Sequence, residues 1–371
     1  MKVIEVQDVA GMASLRPHWD ALTERNPDLT LYQTWDWNDA WWRAFGRRKQ
    51  LRIFVAMDGS DPVGIAPLYV SRHLATPLRR LAFIGTGTSD YLDVITEPGT
   101  ASEACIAIIE RIASEGGYDL ADLQQVPPWS PLRDVWPAQE AKGAHMRQIE
   151  VCPHLPLPEA WEVFAASLGK HLRSNIAYYE RLVKRTYPEA ETVLVTRQEL
   201  PEAISALFDL HTRRWRSRKL PGVLCGRAVQ RFHRDIADRL AATGRLRLHV
   251  TRLDGRIVAA LYCFAYAKRY YYYLGGFDPE LSRFSLGTTL TAAAIRQAIS
   301  EGCRDFDFLR GHEPYKYRWS PQERHNAQCL LPRTSGVRST VMLMLNHLER
   351  YVEQRVKSYV EGNRRPQRRA A

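Results

Sequence analysis

The same succession of predicted strands and helices occurs twice along the sequence. This repeat is the feature that most restricts the possible folds, because it favours two similar units. In the first half the strand patterns LRIFVAM and VGIAPLYVS flank the turn DGSDP, and further strands, a helix and a closing strand follow. In the second half GRLRLHVTRL and RIVAALYCFAY flank Asp254-Gly255, and the strand RYYYYLGGF, a helix and the strand CRDFDFL follow. Both turns are typical of hairpins. The pattern predicts a duplicated α+β unit, although no residue-level repeat is visible.

The chain length of 371 residues also favours two domains over one. Prolines break both helices and strand ladders, and they are frequent between Pro127 and Pro158, where we expect the boundary. We predict one domain at residues 1–150, a second at 151–335 that carries the densest chemistry, and a C-terminal helix with a basic tail at 336–371. Each domain should be a mixed, mainly antiparallel sheet flanked by helices.

Cysteine and histidine usage argues against disulfides and metal ions. The six cysteines are scattered without a CxxC pair, and the eleven histidines form no HExxH and no Cys/His set with ligand spacing. We therefore expect no metal site. Lysine and arginine outnumber aspartate and glutamate by 52 to 41, and the net charge of +11 favours anionic partners such as phosphates, nucleotides, nucleic acid or an acidic membrane surface.

The sequence predicts neither a secretory signal nor a membrane span. The strand-like N-terminus carries Glu5 and Asp8, which a signal peptide would lack. The longest apolar run, from Ile257 to Ala267, is too short to cross a bilayer. We expect a soluble, cytoplasmic protein, with peripheral attachment to the inner membrane as the alternative.

The segment YYYYLGGFDPELSRFSLGTT is typical of a ligand site. Two glycines end its strand, and glycine there lets a ligand approach the backbone closely. The helix that follows begins with free N–H groups and a partial positive charge, which suit a phosphate. An ordinary serine cap with a packing glycine explains the same pattern. The candidate ligand-binding residues are Gly275, Gly276, Phe277, Ser285, Gly287 and Thr288.

Charged and aromatic side chains are massed after the next predicted strand, in DFDFLRGHEPYKYRW. Phe306 and Phe308 alternate with two aspartates, as in a half-buried strand. Charged groups at the C-terminal end of a strand are common at ligand sites. A solvated loop could carry the same charges, but the interleaved aromatic residues argue against simple solvation. The candidate catalytic residues are Asp307, Glu313, Tyr315 and Lys316, with Arg310 as a substrate contact.

Two basic segments supply further candidate substrate contacts. Arg173 lies within a helix predicted from Trp161 to Thr186, and the run HTRRWRSRK contains Arg213, Arg214 and Trp215. A dense cationic run is typical of a protein with a phosphate-rich partner. In both segments, the solvated basic face of a helix is the alternative.

A C-terminal helix is predicted from about Ser339 to Glu361. Val341, Leu348 and Val352 belong to its apolar stripe, which either packs on the adjoining domain or docks on an anionic membrane. Docking would be aided by the arginines of the tail, which are Arg364, Arg365, Arg368 and Arg369.

In these stretches the sequence resembles the GNAT-type acetyltransferase domain of CelD-like cellulose-biosynthesis proteins, which is related to the FemAB peptidyltransferases. The similar segments are WDWNDAWWRAFG, LGKHLRSNIAYYERL, the RRW of HTRRWRSRK, FHRDIADRLAATGRLRL, AALYCF, YYYLGGFDPE, SLGTTL and DFDFLRGHEPYKYRW. The resemblance implies two GNAT-like domains with the reaction site mainly in the second. The sequence departs from the usual pyrophosphate loop of the family, which has the pattern Arg/Gln-x-x-Gly-x-Gly/Ala. The corresponding segment SRFSLGTT keeps one glycine and has threonine in place of the second.

The resemblance also implies an activity, a donor and residue roles. An acyl or aminoacyl group would pass from a thioester, with acyl-coenzyme A (acetyl-coenzyme A) as the implied donor, or from a charged tRNA. The acceptor would be an amine or hydroxyl of a polysaccharide or cell-envelope precursor. Lys316 resembles a lysine that stabilises the reaction centre of the peptidyltransferases. We expect Asp307 or Glu313 as the base and Tyr315 as the acid for the leaving group.

Two other functions remain open at this stage. An aminoacyl-tRNA-dependent peptidyltransferase is favoured by the net charge and the run RRWRSRK. A non-catalytic GNAT-like scaffold for exopolysaccharide or cellulose assembly would bind no donor at all.

Overall fold

A computed structural model of the chain describes residues 1–74, 76–216, 222–333 and 336–362, with the backbone alone at 141, 142, 354 and 356–362. The end of the run RRWRSRK, at 217–219, and the tail arginines Arg364, Arg365, Arg368 and Arg369 lie outside the described residues.

The strands alternate with helices along both halves of the chain. The strands are β1 (Lys2–Val6), β2 (Gln50–Asp58), β3 (Asp61–Arg72), β4 (Arg79–Phe83), β5 (Ile95–Thr96), β6 (Leu120–Val126), β7 (His145–Pro156), β8 (Glu191–Leu194), β9 (Leu246–Leu253), β10 (Arg256–Tyr266), β11 (Arg269–Phe277), β12 (Asp305–Asp307) and β13 (Gln322–Pro332). The helices are α1 (Val9–Ser14), α2 (Arg16–Arg25), α3 (Trp35–Phe45), α4 (Ala101–Ser114), α5 (Pro131–Val135), α6 (Trp161–Ser167), α7 (Lys170–Thr186), α8 (Leu200–Arg216), α9 (Arg227–Ala242), α10 (Leu286–Ser300), α11 (Pro314–Tyr317) and α12 (Val337–Gly362). Short 3₁₀ turns lie at Leu31–Gln33, Pro98–Thr100, Pro137–Lys142 and Pro279–Phe284.

Two predicted helices differ in detail from the observed ones. The helix expected from Trp161 to Thr186 is divided into α6 and α7, because the backbone is extended at Leu168 and Gly169. The C-terminal helix begins earlier than predicted, at Val337.

The described strands form one mixed, mainly antiparallel sheet flanked by helices. Its order is β1-β2-β3-β4-β6-β13-β7-β12-β11-β10-β9-β8, with β5 paired to β3. Among these strands the parallel pairs are β4 with β6 and β11 with β12. A parallel pair needs a crossover connection, and α4 and α10 provide one in each half.

The duplicated order of elements predicted from the sequence is confirmed. The hairpin β2-β3, then β4, α4 and β6, corresponds to the hairpin β9-β10, then β11, α10 and β12. The strand that follows each unit pairs with the other unit, since β7 joins β12 and β13 joins β6. β7 and β13 also pair with each other, which joins the two halves into one continuous sheet. The domain limits at 150 and 335 stay a prediction, and residue 150 lies inside β7.

Strand β10 shows how the core of the second half is arranged. Tyr262 and Phe264 pack in one apolar cluster with α3, α8 and α9, whereas Leu261 and Cys263 pack in another with α7 and α10. Successive side chains of a strand point to opposite faces, so β10 is buried on both sides. Helices on both faces leave the sheet little room for a ligand except where neighbouring strands separate.

Candidate functional site

A cavity of about 250 Å³ lies beside β11, at the start of α10 and against α11. It brings together these candidate residues predicted from the sequence: Gly275, Gly276, Phe277, Ser285, Gly287, Thr288, Arg214 and Tyr315. Its apolar walls include Leu172, Leu261, Leu290 and Trp319. The two distant segments of the sequence that were predicted to form a site, the strand-to-helix segment and the loop after β12, therefore meet.

The cavity exists because β11 and β12 diverge. The two strands pair only from Arg269 to Tyr271, opposite Asp305 to Asp307, and the rest of β11 has no partner on that side among the described pairs. Aromatic rings fill the start of the gap: the Tyr272 ring lies 5.8 Å from the Phe308 ring and 5.9 Å from the Tyr315 ring. Beyond these rings the edge of β11 borders the cavity.

The start of α10 has an unusual backbone. Ser285 is the N-cap residue with φ 49°, in the left-handed region that a non-glycine residue adopts at some cost. Its hydroxyl lies 3.0 Å from the hydroxyl of Thr288, and both residues line the cavity. The helix N-terminus, two hydroxyl groups and the open wall together suit an anionic group.

The three glycines that line the cavity differ in how closely other atoms surround them. A Cβ atom at Gly276 would lie 2.8 Å from the amide nitrogen of His211, so this glycine permits close packing of β11 on α8. A Cβ atom at Gly275 would lie 2.9 Å from the Tyr272 hydroxyl. At Gly287 the nearest atom would be 3.6 Å away, on Phe277, which is ordinary contact. Close packing on α8 thus requires glycine at position 276, whereas no neighbouring atom requires it at position 287, which borders the cavity.

Two arginines bring positive charge to the cavity. The Arg214 guanidinium lies 4.6 Å from the centre of the Phe277 ring and donates to the Gly275 carbonyl at 3.3 Å. Arg318, which follows α11, lines the opposite part of the wall. Guanidinium groups bind phosphates and carboxylates well.

Tyr315 and Tyr272 are the titratable hydroxyl groups at the cavity. Both side chains line the cavity, and their rings lie 5.9 Å apart. Burial raises the pKa of Tyr315 well above its usual range, and Tyr272 and Glu313 add to the effect. Burial also raises the pKa of Tyr272. Both hydroxyl groups are therefore protonated at neutral pH and can donate hydrogen bonds to a ligand.

Lys316 does not face this cavity, which corrects its expected placement. Its amino group donates to the carbonyl oxygens of Leu309, Arg310 and Gly311 at 3.0, 2.8 and 3.3 Å. It also pairs with Glu313 at 2.9 Å, and only 3% of its side chain is exposed. The loop directs these carbonyls inward because Leu309 and Gly311 have left-handed φ values of 59° and 114°. Lys316 thus holds the loop that carries Tyr315, and a direct part in catalysis stays a prediction.

The two candidate bases are also held away from the cavity wall. Asp307 is fully buried and accepts hydrogen bonds from Tyr91 at 2.7 Å and from the Leu309 amide at 2.8 Å. Burial raises the pKa of Asp307 to about 6, although Arg324 opposes the rise. Glu313 precedes α11 and is paired with Lys316. Asp307 is therefore a structural group that links the two halves, since Tyr91 belongs to the first.

Arg213 and Trp215, both predicted as substrate contacts, lie beside Arg214 in sequence but face elsewhere. Arg213 pairs at 3.0 Å with Asp278, which is 1% exposed. The Trp215 ring lies 5.9 Å from the His211 ring, within α8. Neither lines the cavity, because successive residues of a helix point about 100° apart.

Arg173 and Arg310 are likewise outside the cavity wall. Arg173 is exposed in α7, next to Leu172, which lines the cavity. Arg310 pairs with Asp90 of the first half at 3.0 Å and donates to the Gly87 carbonyl at 3.2 Å. Arg310 therefore stabilises the contact between the halves.

Some cavity residues were not singled out by the sequence as site residues. Tyr272 is one of four consecutive tyrosines, and only the strand register shows which of them faces the cavity. Thr291 and Trp319 follow the recognised motifs by a few residues, so nearness to those motifs was the available signal.

In the part of the chain that the structure describes, no group of three or more His, Cys, Asp or Glu side chains could hold a metal ion. None of the helices in this part is long and apolar enough to span a bilayer.

Residues 170–317 match the family model described as an acetyltransferase (GNAT) domain. The matched region extends from the start of α7 to the end of α11 and contains most of the cavity wall. This part of the chain is therefore similar to GNAT acetyltransferase domains. A search of curated proteins by sequence gives no match.

Solved structures with similar folds cover nearly the whole chain. FemX has a TM-score of 0.61 at 12% identity, covering 88% of this chain and 97% of its own. The C-terminal domain (DUF2156) of a putative lysylphosphatidylglycerol synthetase from Agrobacterium fabrum has a TM-score of 0.56 at 12% identity, covering 90% of this chain and 96% of its own. L-PGS from Bacillus licheniformis has a TM-score of 0.51 at 11% identity, covering 84% and 95%. At these identities the likeness shows the fold alone, and it extends over both halves of the chain.

Proposed function

We propose that the protein is an acyltransferase that binds an acyl thioester, such as acyl-coenzyme A, in the cavity beside β11. The observation that carries the proposal is the divergence of β11 from β12, which leaves the strand edge and the start of α10 on one cavity. An acyl carbonyl at that edge can accept a hydrogen bond from a backbone N–H of β11 in place of a strand partner. Such a donor stabilises the negative charge that develops on the oxygen during acyl transfer.

The residues of the cavity fit a thioester donor that also carries phosphates. Leu261, Leu290 and Phe277 offer an apolar wall for an extended acyl arm. Arg214, Arg318 and the start of α10 suit the phosphate groups. When bound, the thioester supplies an activated acyl group for an amine or hydroxyl.

Proton transfer in this cavity would depend on the tyrosines and on water. The described wall contains no carboxylate and no imidazole. Tyr315 is protonated at neutral pH, so its hydroxyl can donate a hydrogen bond to the leaving group, and it is the proposed acid. The acceptor must lose its own proton to solvent, so the cavity would contribute mainly position and charge stabilisation.

We propose an amine or hydroxyl of a polysaccharide or cell-envelope precursor as the acceptor. This part of the proposal is supported by the resemblance to the CelD-like proteins, at segments that include SLGTTL and EPYKYRW. The positive charge near the cavity favours an anionic precursor.

An aminoacyl-tRNA donor is the second candidate. Lys170 and Arg173 are exposed on α7 on either side of Leu172, which lines the cavity. With Arg214 and Arg318 they extend a cationic surface outward from the cavity, and such a surface would also suit the backbone of a tRNA.

One experiment separates these donors and tests the cavity. The pure protein is incubated with a panel of acyl-coenzyme A species and charged tRNAs, and thiol release and loss of aminoacyl-tRNA are measured. Gly287→Leu places a side chain beside Phe277 on the cavity wall. We expect at least ~10-fold weaker thioester binding, because this side chain takes up space in which the donor would bury apolar surface. Gly99→Leu is the matched control, because open space surrounds that glycine in the first half.

Thioester binding that is weakened by Gly287→Leu and unchanged by Gly99→Leu would support the proposal. Deacylation of charged tRNA without thiol release from any thioester would favour the second candidate. Equal binding of the thioester by Gly287→Leu and by the unaltered protein would remove the cavity as the donor site.

A further inference from the structure

Helix α12 packs on the sheet with a face that is partly polar. Ser339, Met342 and Asn346 are each at most 4% exposed. The Asn346 amide donates to Asp122 on β6 at 2.9 Å, and its oxygen accepts from Arg147 on β7 at 2.7 Å. These bonds fix which side of the helix faces the protein.

The opposite side of α12 is apolar and exposed. Its residues, with their exposed fractions, are Val337 (81%), Val341 (40%), Met344 (65%), Leu348 (57%), Tyr351 (55%) and Val352 (51%). At 100° per residue they surround the direction opposite to Asn346. We call these six residues the outer stripe. An amphipathic helix that packs only on its own domain would bury such a stripe, and α12 does the reverse.

Rotating the helix to bury the outer stripe would break a buried polar network. Asp122 is 0% exposed and accepts hydrogen bonds from Asn346 and Gln328 and lies 3.5 Å from Arg80. Without these partners its carboxylate would be buried and unsatisfied, which is strongly unfavourable. The outward direction of the stripe is therefore set by the fold, and the stripe is open to a partner from outside the chain's own core.

The surroundings of the stripe identify the chemistry of that partner. His73 contacts Glu349 of α12 at 3.6 Å, and the next residue in the sequence, Leu74, is 79% exposed. Arg355 lies 5.3 Å from the centre of the Tyr351 ring. The sequence after the helix contains four arginines, Arg364, Arg365, Arg368 and Arg369, which are part of the net charge of +11. A second copy of the chain would bring like charges together, whereas anionic headgroups would offset them.

We propose that the outer stripe of α12 docks this protein on an anionic lipid surface. The helix has 26 residues, about 39 Å at 1.5 Å per residue, and it lies along the surface with its apolar side chains among the acyl chains. The arginines contact the headgroups. Docking through α12 would hold the protein at the membrane by a helix that contributes no residue to the described cavity wall.

The test compares vesicle binding by full-length variants. Met344→Glu with Leu348→Glu places two carboxylates on the stripe without touching the buried face. Val9→Glu with Val163→Glu is the matched control, since these valines are 56% and 61% exposed in other helices and the change in charge is the same. Co-sedimentation is measured with phosphatidylcholine vesicles that contain or lack phosphatidylglycerol, and the oligomeric state is measured without lipid.

We expect the unaltered protein and the control to bind the anionic vesicles, and the stripe variant to bind at least ~10-fold more weakly. Absence of binding to anionic vesicles would overturn the proposal, as would an equal loss in stripe variant and control. A lipid-free dimer that the stripe variant abolishes, together with no vesicle binding, would identify a second copy as the partner instead.

Discussion

Replacement of Lys316 by methionine tests whether this residue is structural. Methionine keeps an unbranched side chain of similar length and removes the ammonium group. In the folded protein that group contacts the carbonyl oxygens of Leu309, Arg310 and Gly311 and the carboxylate of Glu313. All four contacts are lost in Lys316→Met.

The expected loss of stability follows from those contacts. A buried polar group left without a partner costs about 1–3 kcal/mol, and removal of one member of a buried ion pair costs about 3–5 kcal/mol. Glu313 is 36% exposed and can turn to solvent, and the three carbonyls share one donor, so the separate costs do not add. We expect the free energy of unfolding to fall by about 3 kcal/mol.

Urea unfolding followed by tryptophan fluorescence and circular dichroism measures this loss. Lys170→Met is the matched control, because Lys170 is exposed at the start of α7, and its effect should stay within about 0.5 kcal/mol. Transfer activity should fall with stability in Lys316→Met, since the same loop carries Tyr315. A Lys316→Met protein as stable as the control, with turnover reduced by ~10²-fold, would refute the structural role and restore a direct catalytic one.

Three further predictions concern protons. Tyr315→Phe should lower turnover by ~10²-fold with little change in donor binding, because it removes the proposed acid and keeps the ring; initial rates of thiol release check this, with Tyr178→Phe, an exposed tyrosine, as control. Burial raises the pKa of Asp93 to about 7 in the folded protein, whereas an unfolded aspartate has a pKa of about 4. Protonated Asp93 therefore stabilises the fold, and this contribution is fully present below about pH 4 and is lost as the pH rises through about 7. One oxygen of Asp93 accepts from both Ser130 and the Val94 amide, which asparagine can imitate, so Asp93→Asn should gain stability relative to the unaltered protein between about pH 5 and about pH 8 in urea unfolding; a difference that does not change with pH would contradict this. Transfer to an amine should rise with pH up to the pKa of the amine, because the described cavity wall holds no base, and a plateau near the pKa of Asp307 would argue for a carboxylate base instead.

The sequence by itself determined most of the elements and part of the cavity wall. The hairpin turns, the glycines that end β11 and the residues that start α10 are local signals, because each depends on a few neighbouring residues. The duplicated order of strands was visible for the same reason. Six residues predicted to bind a ligand lie on one cavity because they are close in the sequence, between Gly275 and Thr288.

Only the tertiary structure decided which groups face the cavity and how the halves join. Asp307 is bonded to Tyr91, 216 positions away, and Asn346 is bonded to Asp122, 224 positions away, so neither role could be read from local pattern. Arg213 and Arg214 are adjacent but face an acidic side chain and the cavity respectively. The pairing of β7 and β13 with the opposite halves also depends on contacts between residues that are far apart in the sequence. The outward direction of the α12 stripe has the same cause.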